Sequence, residues 1–441
     1  MGFTYLDYAA TTPLSEAVKS TLVETISNQN DFFNSGSSTY EQAEIVSHKI
    51  ELARKDIAET MDVFPREIIF TSGATESNNL AIKGLAFAYK QKGNHIITSK
   101  AEHKAVLDVC KHLEGEGFEV SYLDVDNFGK ISTKELKRAI TDKTILISLM
   151  AVNNELGTVN DLYEIGQLAK KNKIIFHVDA AQAYGKIDLD IKGMGIDLLS
   201  MSGHKIYAPK GVGFLFVRSK SPRVKLHKQI HGGIQESNLR AGTLANYQIF
   251  ALVTACKEMF AKKEQNYQHV LAMRDLFLSE LYSSEILKQV QNDGKKGSRQ
   301  DFDDDRIVPC KVLPLLATQP TPWIPNQVWD RLEGECQLNT DLKNSYPGIL
   351  SITFKGVKGE ALLAMLDGVC LSMGSACNSQ AVEPSHVLGA IGLSADEADS
   401  TIRISFGLMT TEQEVLIVTK LLKEKIGLLR AISPSKEGGY V

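Results

Sequence analysis

The chain has 441 residues, of which 43% are hydrophobic and 23% are charged, and its formal net charge is -4. This length and composition are ordinary for a globular protein with a large buried core, and they allow two domains. The lack of a long basic run argues against a nucleic-acid or acidic-membrane surface. No apolar run reaches the length that spans a bilayer.

The N-terminus and the cysteines indicate the cellular setting. Residues 1–7 contain neither a basic start nor an apolar stretch, so they do not resemble a secretory signal or a transit peptide. Six cysteines are scattered without a C-x-x-C pair, which argues against a zinc site and against a disulfide framework. We therefore expect a cytoplasmic protein without a metal site, in which a cysteine is by default a small buried hydrophobe.

The first two-thirds of the chain alternates short apolar runs with amphipathic stretches. The predicted strands are 67–71, 95–99, 119–123, 144–149, 174–178, 197–201 and 212–217, and the predicted helices between them are 75–89, 103–115, 132–139 and 161–171. Strands separated by helices of this length predict β-α-β units and a mostly parallel sheet. Ligands bind beyond the carboxyl ends of such strands, so the residues that directly follow each strand are the first candidates for a site.

The last third of the chain predicts a smaller α+β domain. A long helical pattern covers 244–281, followed by strands near 349–353 and 402–405 and helices at 359–366 and 411–429. We expect residues 1–14 to pack with the small domain, 15–255 to form the large domain and 256–441 to form the small one. Five of the twelve prolines and both tryptophans fall at about 290–336, which predicts a surface insertion without a catalytic role.

A phosphate cradle is one interpretation of residues 71–76, which end an apolar strand and begin a helix. Gly73 permits a tight turn, and the free N–H groups of the first helical turn, with the Thr75 hydroxyl, are suited to bind an anion at the positive helix end. Ser72 or Thr75 would equally serve as an ordinary helix cap. Taken alone, the motif favours the cap.

Two charged residues follow predicted strands. Asp179 comes directly after the run 174–178. A buried carboxylate at this place needs a positive partner, such as the N–H⁺ of a pyridine ring. Asp179 could equally serve as a helix cap for 180–183. Lys205 follows the run 197–201 and is flanked by small residues and His204. A lysine near cationic or desolvating groups can form a Schiff base, although an exposed turn lysine is the more common case.

A thiol and a guanidinium complete the candidate chemistry. Cys377 is surrounded by small and polar residues in 373–380, the setting of a reactive thiolate, whereas Cys370 lies in an apolar run. Arg403 belongs to an alternating strand pattern that places its side chain on one face, where it could clamp a substrate carboxylate.

Taken together and in this order, these motifs resemble the IscS/NifS-type cysteine desulfurases of the fold-type-I, class V aminotransferase group. The likeness runs from Tyr5 to about Pro434 and is interrupted by the insertion. It is carried by residues 6–13, 71–79, 102–104, 152–155, 177–180, 202–211, 240–243, 374–377 and 383–385. The resemblance implies an α/β fold-type-I transferase, with a mostly parallel seven-stranded sheet in the large domain and a smaller α+β C-terminal domain.

The resemblance also implies a cofactor, pyridoxal 5'-phosphate, and a set of site residues. Lys205, His103 and Cys377 would be catalytic, and Asn154 and Arg403 would bind the substrate L-cysteine. Asp179 would pair with the ring nitrogen and Gln182 with the phenolic oxygen. The remaining cofactor contacts would come from Ala74, Thr75, Asn154, Ser202, Gly203 and His204, joined by Thr243 from the partner subunit of a homodimer.

The implied reaction converts L-cysteine to L-alanine and leaves a persulfide on Cys377. The sulfur would then pass to sulfur-acceptor or iron–sulfur scaffold proteins, with tRNA thiolation as a further destination, and without direct binding of nucleic acid or a membrane. A selenocysteine lyase or an aminotransferase on the same scaffold is the alternative, as is a degenerate non-catalytic binding subunit. The last alternative is motivated by departures from the family pattern at 34–40, at Ser237 and Asn238, and at Leu408.

Overall fold

The computed structural model describes residues 2–293, 336–374 and 384–432, and for 283–293 it describes the backbone alone. The predicted insertion therefore lies almost wholly outside the described residues, as does Cys377. No helix in the described ranges is both long and apolar enough to cross a membrane. Within the same ranges, no cluster of three or more His, Cys, Asp or Glu side chains could hold a metal ion.

A seven-stranded sheet forms the centre of the larger part of the molecule. Its strands are β2 (Ile68–Thr71), β3 (His95–Ser99), β4 (Glu119–Leu123), β5 (Thr144–Met150), β6 (Ile175–Asp179), β7 (Leu198–Ser202) and β8 (Gly213–Val217), in the spatial order β2-β8-β7-β6-β5-β3-β4. Strand β8 runs antiparallel to the other six strands, which are parallel to one another. Each predicted strand of this sheet lies within one residue of an observed one, which confirms the mostly parallel seven-stranded sheet.

Helices cover this sheet because its strands are apolar on both faces. All seven residues of β5 are buried, as expected for a central strand of a parallel sheet. The helices of this part are α1 (Glu16–Ser27), α2 (Glu41–Glu59), α3 (Ala74–Tyr89), α4 (Lys104–Gly115), α5 (Thr133–Ala139), α6 (Leu162–Lys171) and α7 (Asn246–Ala261). Side-chain caps at Ser132 and Asp161 start α5 and α6 where the sequence predicts them.

The predicted long helix over 244–281 is two helices, α7 and α8 (Lys263–Asp293). The break falls at Lys262, whose φ of -117° and ψ of 17° are not helical. The predicted domain boundary at residue 255 lies inside α7, so we propose that the large unit ends at this break instead.

The smaller part of the molecule is an antiparallel sheet packed against helices. Its sheet order is β12 (Thr401–Ser405), β10 (Ile349–Phe354) and β9 (Cys336–Leu338). The helices are α9 (Gly359–Ala364), α10 (His386–Ala390), α11 (Ala395–Asp399) and α12 (Glu412–Ile432), of which α12 packs against α8 and α9. The N-terminal strand β1 (Thr4–Tyr5) pairs with β11 (Val369–Cys370), and Asp7 bridges to Ser405.

Candidate active site

The carboxyl ends of five parallel strands and the N-terminal segment enclose a cavity of about 560 Å³. Strands β2, β3, β5, β6 and β7 all end at this edge of the sheet, which is the usual place for a ligand in such folds. Ten of the predicted site residues line the cavity: Ala74, Thr75, His103, Asn154, Asp179, Gln182, Ser202, His204, Lys205 and Arg403.

Helix α3 begins with its first-turn N–H groups facing this cavity. The residue before it, Gly73, has a φ of +144°, and no side chain in the described part of the chain caps the helix. The predicted cap by Ser72 or Thr75 is therefore wrong. The carboxylate of Glu76 instead accepts the N–H of Ser72 at 2.7 Å. An uncapped helix start next to Ser202 and His204 fits an anionic group such as a phosphate.

The carboxylate of Asp179 is held by two N–H donors at the end of β6. Its Oδ2 accepts from Asn78 Nδ2 at 2.7 Å, and its Oδ1 accepts from the Ala181 N–H at 2.9 Å. Residues 180–183 form turns and not a helix, so Asp179 is not a helix cap. Because it is buried and lines the cavity, this carboxylate fits a cationic ring nitrogen as its partner.

Lys205 lies in the short turn after β7 and points to the N-terminal segment. Its Nζ donates to the carbonyl oxygens of Ala9 and Ala10, at 2.6 and 2.7 Å. The preceding His204 has its Nδ1 3.1 Å from Thr11 Oγ1, and burial, together with Lys205, lowers the pKa of His204 to about 4. The His204 imidazole is consequently neutral near pH 7.

His103 is both the first residue before α4 and part of the cavity wall. Its Nδ1 accepts the Ala105 N–H at 3.1 Å, so a neutral imidazole here carries its proton on Nε2. Burial is the main factor that lowers the pKa of His103, and the positive charge of Lys205 adds to it, whereas the negative charge of Asp179 opposes it. The ring therefore presents an N–H to the cavity.

Arg403 is already ion-paired within the protein. Its Nη2 lies 2.7 Å from Asp7 Oδ1, and its Nη1 donates to the Asn154 carbonyl oxygen at 3.0 Å. Its Nε is buried and has no hydrogen-bond partner in the described part of the chain. A substrate carboxylate at this position would therefore meet a guanidinium that is fixed in place by Asp7.

Two predicted residues lie elsewhere, and a third is not described. Gly203 does not line the cavity, but its N–H donates to the Val212 carbonyl at 2.9 Å and holds the turn that carries Lys205. Thr243 lines a different cavity of about 520 Å³, together with Arg54 and Ser237. Cys377 falls outside the described residues.

Several contributors to the site were missed by the sequence analysis. The carbonyl groups of Ala9 and Ala10 carry no side-chain signal, and Asp7 contacts the site only because β1 pairs with the small domain. Asn78 could have been found, since it lies one helical turn after Ala74 and so shares its face of α3.

The class-V aminotransferase family model matches residues 4–317 and 329–418. The unmatched residues 318–328 lie inside the predicted insertion, and the match covers the rest of 290–336. The chain thus belongs to the class-V aminotransferases, as its sheet and cavity suggest. Enzymes of this family depend on pyridoxal phosphate, and the cavity fits that group: it is lined by an uncapped helix start for the phosphate, by Asp179 for the ring nitrogen and by Lys205.

Within that family the chain is similar to cysteine desulfurases. It is 42% identical to the cysteine desulfurase IscS of Colwellia psychrerythraea over 98% of this chain and 94% of that protein. A solved NifS-like protein superposes with a TM-score of 0.78 at 28% identity, covering 98% of this chain and all of the other. A structure of SspA in complex with cysteine has a TM-score of 0.70 at 35% identity, covering 92% and 100% of the two chains.

Proposed function

We propose that this protein is a pyridoxal-phosphate-dependent cysteine desulfurase. It takes sulfur from L-cysteine, releases L-alanine and carries the sulfur as a persulfide on Cys377. The observation that carries the proposal is the meeting of Lys205, Asp179 and His103 in one cavity at the carboxyl edge of the sheet. The relatives that share most of the chain carry the same activity in their names.

Different residues of the cavity would bind the phosphate and the ring of the cofactor. The first turn of α3, with Ser202 and His204, would hold the phosphate, and Asp179 would pair with the ring nitrogen. His103 would stack on the ring, and Gln182 would pair with the phenolic oxygen. When bound, pyridoxal phosphate supplies a ring that accepts the electrons of the substrate Cα–H bond.

Lys205 and Cys377 move the proton and the sulfur. The Lys205 amine takes the proton from the substrate Cα and returns a proton to the product. The Cys377 thiolate attacks the substrate sulfur, so an S–S bond forms while the C–S bond breaks. The β-carbon keeps the electron pair of the broken bond and takes up a proton, and alanine leaves.

The position of the described chain on either side of Cys377 supports this role. Ser385 Oγ donates to Glu155 Oε2 at 2.6 Å, and a Cβ built on Gly374 would lie 2.8 Å from the same oxygen. Glu155 directly follows Asn154 of the cavity wall. Cys377 follows Gly374 by three residues, a contour length of at most about 11 Å. Both described ends of the segment that carries Cys377 thus lie beside the residue that follows Asn154 of the cavity wall.

The wider context of the activity is also a proposal, which the family resemblance supports. We propose a homodimer in which Thr243 of each subunit joins the phosphate site of the other, since Thr243 is exposed and lies apart from the cavity of its own chain. The cytoplasm is the proposed compartment. Iron–sulfur scaffold proteins are the proposed sulfur acceptors, and tRNA thiolation is a further proposed use of the sulfur.

Replacing Cys377 tests the sulfur-carrying step. Cys377→Ala should keep the visible absorbance of the bound cofactor but lose sulfide release from L-cysteine by at least about 100-fold, because the attacking thiolate is gone. Cys370→Ala is the matched control, since this half-buried cysteine lies on β11 only seven residues earlier, and it should keep its activity. Unchanged sulfide release by Cys377→Ala would refute the role.

A further inference from the structure

A second lysine lies directly behind the cavity wall. Lys186 follows β6 in the turns that also contain Gln182, and its Nζ donates to Gln182 Oε1 at 2.9 Å. The ammonium end lies 5.5 Å from the ring centroid of Tyr346, in a small space that Tyr8 and Tyr207 also line. Gln182 lines both the main cavity and this small space behind it, whereas Lys186 lines only the small space.

The contacts of Gln182 fix which way its amide faces. Lysine has N–H donors and no acceptor when it is protonated, so the amide oxygen must face Lys186. The amide nitrogen donates to the Ala9 carbonyl oxygen at 2.7 Å. Turning the amide over would place N–H groups against an ammonium and an oxygen against a carbonyl. The contacts of the amide oxygen and of the amide nitrogen therefore require the same orientation. In this orientation the second N–H of Gln182 is available to donate into the cavity.

The same carbonyl connects this arrangement to the reacting lysine. Ala9 O accepts from Gln182 Nε2 and also from Lys205 Nζ, at 2.6 Å. Lys186, Gln182, Ala9 and Lys205 thus form one continuous chain of contacts. We propose that Lys186 is a positioning residue that locks the Gln182 amide as a hydrogen-bond donor toward the cavity, and so toward the phenolic oxygen of the cofactor. The inference rests on the proposed function.

The surroundings of Lys186 are compatible with this role over a wide pH range. Burial, and then the charge of Lys205, lowers the pKa of Lys186 to about 7. Above that pKa the neutral amine still has N–H donors for the Gln182 oxygen, and the Ala9 carbonyl oxygen can accept only from the amide nitrogen, so the orientation of Gln182 is kept. The tyrosines that face Lys186 stay neutral, because burial raises the pKa of Tyr8 to about 12 and raises the pKa values of Tyr207 and Tyr346 further.

The test compares Lys186→Met with Lys186→Arg and needs no substrate. The measurement is the midpoint of the pH titration of the bound cofactor's visible absorbance. Lys186→Met should move this midpoint to higher pH by about one unit, the size that one lost hydrogen bond implies, because the phenolic oxygen then holds the neighbouring proton more strongly. Lys186→Arg keeps a donor and should restore the midpoint. Lys192→Met, an exposed lysine paired with Asp62, is the control.

A double-mutant cycle separates positioning from mere packing. In a Gln182→Leu background, Lys186→Met should cause no further shift of the midpoint, because the amide through which it acts is absent. Lys186→Leu, which also lacks a donor, repeats the comparison if the methionine variant does not fold. A wild-type midpoint in both the Met and the Leu variants would overturn the proposal. A wild-type protein that titrates normally but makes no alanine would instead refute the desulfurase activity.

Discussion

His177 lies on β6 two residues before Asp179, enclosed between the neighbouring strands. Its Nδ1 is 2.8 Å from Ser148 Oγ and its Nε2 is 2.9 Å from Ser200 Oγ. Burial lowers the pKa of His177 from its ordinary value of 6.5 to about 3. This neutral imidazole therefore joins β5, β6 and β7 directly below the carboxylate that faces the cavity.

The buried imidazole predicts a loss of stability in acid. Between about pH 6.5 and pH 3 the unfolded chain binds a proton at His177 that the folded chain does not bind, so the free energy of unfolding falls as the pH falls through this window. His177→Gln should show a smaller slope of unfolding free energy against pH there, measured by urea denaturation. His48→Gln, on the exposed face of α2, is the control. Equal slopes for both variants would contradict the explanation.

Residues at strand ends were predictable because their chemistry conflicts with their surroundings. Asp179 follows a run of buried residues, and Lys205 follows another. A charged group in such surroundings needs a polar or oppositely charged partner, which apolar packing does not provide. The partners themselves were not predictable when they were backbone groups, as at Ala9, or when they came from a distant segment, as with Asp7 and Arg403. The Arg403 ion pair joins two residues that are 396 positions apart in the chain.

At the scale of elements, the start of α3 depends on a glycine. Gly73 has a φ of +144°, which side chains rarely adopt, and a Cβ there would lie 3.0 Å from Ser202 Oγ. Gly73→Ala should cost about 1–3 kcal/mol of stability and weaken cofactor binding at least about tenfold, measured by absorbance titration. Gly427→Ala on α12, where a Cβ meets nothing within 4 Å, should leave cofactor binding unchanged. Equal cofactor affinity of both variants would argue against a cradle.

A buried ion pair anchors the segment that leads to Thr243. Arg54 of α2 makes two hydrogen bonds to Glu236, at 2.7 and 2.8 Å, and Glu236 also accepts the Phe70 N–H of edge strand β2 at 2.6 Å. Glu236, Ser237 and Asn238 all have positive φ values. Asn238 departs from the family pattern, and asparagine is among the residues that tolerate this conformation best.

Breaking this pair should be costly. Glu236→Gln removes the buried partner of Arg54 and leaves its guanidinium only the exposed carboxylate of Glu51, so the free energy of unfolding should fall by about 3 kcal/mol in denaturant titrations. The control is Glu59→Gln, which breaks an exposed pair with Lys55 on the same helix and should change stability by less than about 1 kcal/mol. Similar losses in the two variants would show that the buried pair does not anchor the segment.

Most helices and strands were predictable from local pattern, since continuous apolar runs mark buried parallel strands and side-chain caps mark helix starts. The break between α7 and α8 was not, because residues 246–282 keep a helical pattern across Lys262 and contain neither glycine nor proline at the break. The order of the strands in the sheet depends on long-range packing that no short segment specifies. The sequence therefore does not show which strand ends lie side by side at the site.

At the scale of the whole molecule, the two parts share one site. The large sheet supplies Lys205, Asp179 and His103, and the small part supplies Arg403 and both described flanks of the segment that carries Cys377. The N-terminal segment connects them, since β1 pairs with β11 while Ala9 and Ala10 accept hydrogen bonds from Lys205. The candidate residues taken together, and then the family resemblance, predicted this sharing, whereas no single motif did.

The most direct test of the proposed activity is the product formed from L-cysteine by the purified protein with its cofactor. We expect alanine and sulfur in equal amounts, and no alanine from Lys205→Ala, which should also lose the visible absorbance of the bound cofactor. Absence of alanine from the wild-type protein, or formation of a keto acid in its place, would contradict the assignment as a cysteine desulfurase.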